Sequence, residues 1–497
     1  MLRLWPVVTA VVMVVLLGGF AAMWLLGVWS PITPTVKDPE RLRLDRIKTA
    51  LTVAAGLAAG ITLLLTLRRQ ALSERAQRFT EHDAIEQRIT GLYIAAAGQL
   101  GSDKAAVRLA GLYALERLGQ DTPKLRQTVA DVLCAYLRMP YTPPQEVLNR
   151  SPQSSPHFVS PEEEFDPEEQ SMRREELQVR LTAQRLLGNH LRADNAEDPE
   201  PPSFWRGTEG ERMSLDLVDA VLVDFDLWKC HVDGLDLRGA QLYGSARFRK
   251  AQFHGDILLI GAQFHAKVDF GEARFMGSLL GTHVTFWGAL GLSAVHCFKK
   301  VDLERAHFHE GIYMGHAKLE GVLNLRSAIF WAQANLSNAE FRDVSMRQTH
   351  FRGDLELRGS RFRGDMSARD AEIQGTARLN DVRFEGTSLL VGARFRDRVE
   401  MRDVTFHSDS KWDAVWLLQG IDLRGARFEQ GASLRTIVFH GPIHLEGCRL
   451  ADVRYIPSTW RALIQAPDGL WSVGVAPPQA ETSNDGESRD TDEAPKP

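Results

Sequence analysis

From Phe351 onward, inward-type residues recur at alternating steps of six and five, and the alternation never breaks. One series is Phe351, Phe362, Ile373, Phe384, Phe395, Phe406, Leu417, Phe428, Phe439 and Leu450. The other is Leu357, Ala368, Leu379, Leu390, Met401, Trp412, Leu423, Leu434 and Leu445. Eighteen of these nineteen positions hold a large apolar residue, against 44% apolar residues in the whole chain. A period of eleven is neither the 3.6 of a helix nor the 2 of a flat strand. Sustained repetition of this kind marks a solenoid, whose units bury their apolar side only by stacking. Upstream the step is five, through Leu217, Leu222, Leu227, Val232, Leu237 and Leu242. Between the two stretches Gly281 fits poorly, and the register slips near Phe298 and Met346.

Each unit of five or six residues reads as one side of a square coil. Its central residue points inward and stacks on its equivalent one coil later. The residue two before it also points inward and should be small, as Ala371, Val382, Ala393, Val404, Val415 and Ala426 are. Gly353, Gly364, Gly375 and Gly386 fall two after the Phe series, where a corner turn favours glycine. Forty-four inward sites between Leu217 and Leu450 give about eleven coils, and at ~4.8 Å per layer a rod of roughly 50 Å. The stretch LDLRGAQ followed by Leu242 is close to the A(D/N)Lxx consensus. Over residues 213–450 the chain resembles pentapeptide-repeat proteins, which implies a right-handed quadrilateral β-helix. The six-residue unit in every pair departs from that pattern and should bulge alternate sides.

Two uncharged stretches precede the repeats. Residues 4–36 carry no charge, and the most apolar part, 7–29, is long enough to cross ~30 Å of hydrocarbon. It is too long for the ~7–15 residues of a signal-peptide core, and Trp5 and Trp29 bracket it at interfacial positions. Residues 49–67 form a second span, with Gly56 and Gly60 in a GxxxG spacing that allows close helix packing. Arg3, Arg68, Arg69, Arg75 and Arg78 fall on the terminal side. Lys37, Arg41, Arg43, Arg46 and Lys48 fall in the connecting loop. This balance gives no orientation. Cys134, Cys230, Cys297 and Cys448 lie far apart, which suits free thiols in a reducing compartment. The expected location is therefore a cell membrane, crossed twice, with the soluble body cytoplasmic.

Past the spans, Ile85, Ile89, Leu92 and Ala96 form one helical stripe. Val107, Ala110, Leu112, Leu115 and Leu118 form a second; Val129, Val132, Leu133, Tyr136 and Leu137 form a third. Three short amphipathic helices are expected, with Ser102–Asp103 as an N-cap and Thr122–Pro123 as cap and first-turn proline. Residues 99–121, QLGSDKAAVRLAGLYALERLGQD, resemble the juxtamembrane helices of actinobacterial membrane-anchored pentapeptide-repeat proteins. That resemblance implies transmembrane helices before the segment, repeats after it, and no chemistry of its own.

The expected organisation is then as follows. Residues 1–36 hold the first transmembrane helix and the start of a loop, 37–48 the loop, and 49–67 the second transmembrane helix. A helical juxtamembrane segment covers 71–140, an acidic flexible linker 141–170, and a capping helix with its lead-in 171–212. The β-helix covers 213–450, a C-terminal cap 451–466, and a disordered acidic tail 467–497.

Chemistry is not visible. There is no GxSxG, HExxH, Walker loop or GxGxxG after a strand. No catalytic, cofactor-binding or metal-binding residue is assigned, and no cofactor is expected. A metal held between coils would need histidines about 22 residues apart, and His254, His265, His307, His309 and His440 have no such mates. Residues 213–450 hold thirty basic and thirty acidic side chains. A rod that imitates DNA to protect a topoisomerase needs strong negative charge, so that alternative ranks below a non-enzymatic interaction scaffold. The expected partners are the lipid bilayer and an unidentified protein, without nucleic acid. A homodimer through a coil end also suits such a rod, unless Tyr455–Gln465 caps that end.

Overall fold

The computed structural model describes residues 39–150, 166–193, 204–205 and 212–475, with residues 13, 16–21 and 23–24 before them. It divides into two units, 1–92 and 93–497.

Helix α1 (Pro39–Leu100), which begins in the first unit and ends in the second, contains the stretch Ile47–Glu74. This 28-residue stretch, ~42 Å of helix, is the one among the described residues long and apolar enough to cross a membrane. All four of its threonines turn their hydroxyls back onto the helix, each onto the carbonyl four residues earlier at 2.6–2.8 Å. The expected span at 7–29 lies largely outside the described residues, so a two-span arrangement is not shown. Within the described part, Leu57 lies against Gly18, where an added Cβ would sit 2.2 Å from its Cδ1. A Cβ on Gly56 or Gly60 would meet nothing within 4 Å, so close packing through that pair is absent among the described residues.

The expectation of three short helices is corrected at its first member. The stripe from Ile85 to Ala96 belongs to α1, which runs unbroken to Leu100. The polar run between the span and the stripe is helical too. Helices α2 (Ala105–Asp121) and α3 (Arg126–Arg138) match the other stripes. Ser102 accepts from the Lys104 amide at 3.3 Å in the turn before α2, and Pro123 opens a single 3-10 turn ahead of α3. Helix α4 (Gln145–Leu148) buries Val147 and Leu148 against Leu177, Val223 and Tyr243. Residues 141–150 are thus packed, whereas 151–165 lie outside the described residues. Helix α5 (Pro167–Leu191) starts before position 171, capped by the Asp166 side chain on the Glu168 amide at 3.0 Å.

These helices close the first coil of the solenoid. A coil end leaves backbone N–H and C=O groups without a neighbouring strand, and buried groups of that kind need partners. Two glutamine side chains take the place of a strand. Gln184 of α5 accepts from the Val223 amide at 3.2 Å and donates to its carbonyl at 2.8 Å. Gln127 of α3 does the same for Ser214, at 3.1 and 2.9 Å. Trp205 packs into this layer beside Gly119, where an added Cβ would come within 2.8 Å of its ring. It stacks on His190, which in turn contacts Glu116 at 2.8 Å.

The solenoid has about eleven turns, with parallel strands of mostly two residues. Partners lie 20 residues apart in the first coil (Leu222 and Leu242), 21 apart where Val232 meets Phe253, and 22 apart afterwards (Phe362 and Phe384). One later 21-residue coil separates Phe330 from Phe351. Every residue of the two apolar series is buried except Phe439, which is half-buried and packs near Trp460. Phenylalanines form two internal stacks. One runs from Phe264 to Phe351 with centroids 4.5–5.4 Å apart, the other from Phe341 to Phe428 at 4.5–5.3 Å. At the smaller inward sites Ser388 and Ser410 share a hydrogen bond of 2.8 Å, and Ser410 accepts from Trp412 Nε1 at 2.7 Å. An indole thus fits inside the rod with its N–H paired.

Three details of the expected lattice change. The inward residue near 298 is Cys297, paired with Phe275 and Leu319, so the register does not slip there. Gly281 is a true inward site, its space filled by Leu303 and Val284. The shift near Met346 is real and belongs to the 21-residue coil, where strands Lys318–Asn324 and Glu340–Ser345 run through a corner with a bulge. The six-residue units leave the inward sites aligned, because their extra residue sits in the corner after the Phe series.

Corner glycines also act differently from expectation. The left-handed corners follow the Leu series, at Gly359, Asp370, Asp381, Gly392, Asp403 and Gly425. Gly386 is required by close approach instead: a Cβ there would lie 2.3 Å from the Gly364 carbonyl one coil away.

The C-terminal end is longer than the expected cap. Strands Trp460–Gln465 and Trp471–Val475 form an antiparallel hairpin, and the second strand pairs with Arg449 and Leu450 of the last coil. Residues 467–475 therefore belong to the fold, and 476–497 lie outside the described residues.

Candidate interaction surface

Outward positions on neighbouring coils stand in register, so charges meet along the rod, of like sign where Arg361 lies beside Arg383 and Arg427 beside Arg449, and of opposite sign at many other places. Arg363 pairs with Glu340 at 2.5 Å, Arg396 with Glu372 at 2.5 Å, and His407 with Glu429 at 2.7 Å. Buried Asp422 holds both Arg402 and Arg424, and these bonds, that to Arg424 foremost, keep its carboxyl far below the usual range. Exposed pairs of this kind add little stability. Their effect is to cancel the field a partner would sense from a distance.

One coil has almost none of this pattern, its one such pair among the described residues being His296 with Glu320 at 2.9 Å. Residues 275–298, slightly more than a full turn, contain no Lys, Arg, Asp or Glu. An aromatic column starts before this coil and runs past it, one residue beyond successive inward sites of a single face. Tyr243 stacks on His265 at 4.3 Å. Trp287 stacks on His309 at 3.9 Å, and His309 on Trp331 at 5.6 Å. The Arg352 guanidinium closes the column 3.6 Å from the Trp331 ring. Tyr243 and His265 are buried, Trp287 and His309 half-buried, and Trp331 is exposed. The column thus emerges gradually from the fold.

Two histidines here, His307 and His309, sit where the uncharged form is favoured. Burial lowers the pKa of His309, and neighbouring His307 lowers it further; His307 is lowered by burial and by His283. An uncharged imidazole between two indoles suits a stack that excludes water. Trp287 Nε1 is buried without a hydrogen-bond partner. A neutral surface rich in Trp and His is suited to protein contact, since aromatic side chains carry much of the energy of protein interfaces. The sequence reading missed this column because it tested histidines only against other histidines. Their actual mates are tryptophans and a tyrosine one coil away.

Metal and acid–base chemistry find no support. Among the described residues no group of His, Cys, Asp and Glu could hold a metal ion. An open depression of about 650 Å³ lies at the 21-residue coil, lined by Lys318, Glu320, Glu340, Arg342, Asp343 and Arg363. Its charges pair internally: Lys318 with Glu320 at 3.0 Å, Arg363 with Glu340, and Arg342 with Asp343 at 3.7 Å. Glu320 is held below the normal carboxylate range by His296 and Lys318, the reverse of what a general acid needs. All four cysteines are buried, and burial pushes the thiols of Cys134 and Cys448 up to about 12. A nucleophilic cysteine requires the opposite shift.

No curated protein and no solved structure matches this chain. The model describing pentapeptide repeats (9 copies) matches residues 227–274, 347–389 and 390–438. The gap between the first two segments contains the charge-free coil, Trp287, His309 and Trp331, so the candidate surface lies where the repeats depart most from their common pattern. The chain carries pentapeptide repeats, and the square coils are the β-helix that such repeats build.

Proposed function

We propose that this protein is a non-enzymatic interaction scaffold, anchored in a membrane by α1, that presents its β-helix to a protein partner. The observation that carries the reading is the uncharged coil and its Trp287–His309–Trp331 column, on a rod whose other coils all carry outward charges, many of them paired. The internally bonded threonines of Ile47–Glu74 support the anchor, because an apolar medium offers hydroxyls no water. A cytoplasmic body fits the four free thiols. The paired charges give no support to imitation of DNA.

Proximity labelling in membranes tests the proposal, with the full chain compared with Trp331→Ala. The expected result is a reproducible set of labelled proteins that Trp331→Ala reduces several-fold. An identical set for both chains counts against the column, and no reproducible set counts against the scaffold. Resistance of the chain to alkaline extraction from membranes tests the anchor, and a reporter fused to the C-terminus tests the orientation.

A further inference from the structure

The last coils carry a ladder of outward residues in strand register: Arg383 beside Thr405, Thr405 beside Arg427, and Arg427 beside Arg449. Strand Trp471–Val475 adds one more rung, with Ser472 beside Arg449. The ladder forms one wall of an open groove of about 380 Å³. The other wall is a line of corners, Asp381, Asp403, Gly425 and Gly447.

Like charges on adjacent rungs oppose folding unless something balances them. Arg449 is balanced by Asp468 at 2.7 Å. The carboxylates on the far side of the ladder are engaged as well, Glu385 with Arg361 and Glu429 with His407. Arg427 is exposed and makes no ion pair among the described residues. Arg383 makes none either, but it has Asp381 two residues before it, where Arg427 has Gly425. Asp403 lies against Gly425, its Oδ1 2.2 Å from where a Cβ would sit, without forming an ion pair with Arg427. The groove is therefore polarised. Its acidic corners stand beside Arg383, and its glycine corners leave Arg427 uncovered at the other end. A Cβ on Gly447 would meet only Gly425, at 3.6–3.7 Å.

We propose that residues 481–493 of the same chain lie along this groove, with their carboxylates on Arg427 and, past Thr405, on Arg383. Three observations favour this occupant. The first is charge: the segment holds Glu481, Asp485, Glu487, Asp490, Asp492 and Glu493 against a single Arg489. The second is position. Strand Trp471–Val475 runs antiparallel to the last coil, so the chain passes Arg449 and continues toward the corner at Gly447, which is the open end of the groove. The third is reach. Four layers of ~4.8 Å separate Ser472 from Arg383, ~19 Å in all, and the six residues from Val475 to Glu481 extend to ~20 Å. The groove is thus a site for an extended acidic segment, and the chain fills it itself until another acidic chain displaces it. This goes beyond the scaffold reading and stands without it, because the groove and the aromatic column occupy different sheets and different coils.

The test uses the full chain in detergent micelles and a carbodiimide, which joins an amine to a carboxylate without a spacer and so reports direct ion-pair contact. Arg427→Lys keeps the charge and supplies the amine. Mass spectrometry should find that amine joined to a carboxylate of residues 481–493. Arg435→Lys, eight residues further round the same coil and also exposed, should give roughly fivefold less of that product or lower still. In 1 M NaCl, where the Debye length is ~3 Å, the Arg427→Lys product should fall roughly fivefold or more. Mixing chains of light and heavy nitrogen separates contact within one chain from contact between two. An amine joined only to carboxylates outside 481–493 overturns the proposal. So do equal yields from the two variants, a yield indifferent to salt, or a product found mainly between light and heavy chains.

Discussion

Replacing Gln184 by methionine keeps the length of the side chain and removes its amide. In the native fold that amide holds both the N–H and the C=O of Val223, at 3.2 and 2.8 Å, and Gln184 is buried. A thioether can replace neither bond. Each backbone group left without a partner away from water costs about 1–3 kcal/mol, so the first coil should lose roughly 2–6 kcal/mol. A solenoid transmits stability mainly between neighbouring coils. The loss should therefore appear as local opening of the first two coils before it appears in the whole rod. Hydrogen exchange followed by mass spectrometry on the full chain checks this. Peptides covering Val221–Val223 and Gln241–Tyr243 should exchange at least thirtyfold faster, since about 1.4 kcal/mol is a factor of ten. Peptides beyond Phe362 should be unchanged. Gln178→Met, at an exposed position of the same helix, is the control and should leave both regions alone. If Gln184→Met exchanges within threefold of wild type in the first coils, the glutamine clamp is not what closes this end.

Other perturbations report on other layers. Gly386→Ala should lower stability by about 2–3 kcal/mol, because its Cβ would press on the Gly364 carbonyl and coils cannot separate singly; an unchanged thermal midpoint would refute the close-approach account. Trp412→Phe should cost about 1–2 kcal/mol in chemical denaturation by removing the bond to Ser410 and some buried volume. Asp422 has a folded pKa below its unfolded value, so its contribution is complete above the ordinary carboxylate range and is lost as pH falls toward the folded value. Asp422→Asn should flatten the acid limb of a stability-versus-pH curve, and an identical limb would show that the pairing with Arg424 and Arg402 is inconsequential. The His309 ring should titrate below the ordinary value of about 6.5 in an NMR experiment; a midpoint at or above that value would contradict the neutral stack.

The repeat lattice was largely legible because an inward site tolerates almost nothing but an apolar side chain. The same logic reads a slip of register near Phe298 that is not there, because Cys297, a smaller apolar residue, keeps the strand register with Phe275 and Leu319. The corner glycines were found but given the wrong cause. Gly386 serves spacing between coils, and the positive φ angles fall on Asp370, Asp381 and Asp403, which a turn scan does not separate from surface charge. The continuity of α1 was hidden by the polar run between its two apolar stretches, since amphipathic patterning reports burial and an exposed helix has none to report. The clamping glutamines were invisible for a related reason. Gln184 interrupts the stripe of Ala183, Leu186, Leu187 and Leu191, and its role depends on a backbone group 39 residues away. The aromatic column needed the coil length before His309 could be placed between Trp287 and Trp331.

The 21-residue coil has a consequence for how such a chain can change over generations. Its missing residue comes out of one corner, and every ladder beyond it resumes in phase. Deletions or insertions of a single residue are therefore survivable along the two longitudinal edges that follow the Phe series, whereas elsewhere they would turn inward residues outward. These edges act as the editable margin of an otherwise quantised object, whose length can grow only by whole coils. At this coil the margin has been edited once already, and the altered corner is where the surface opens into its charged depression.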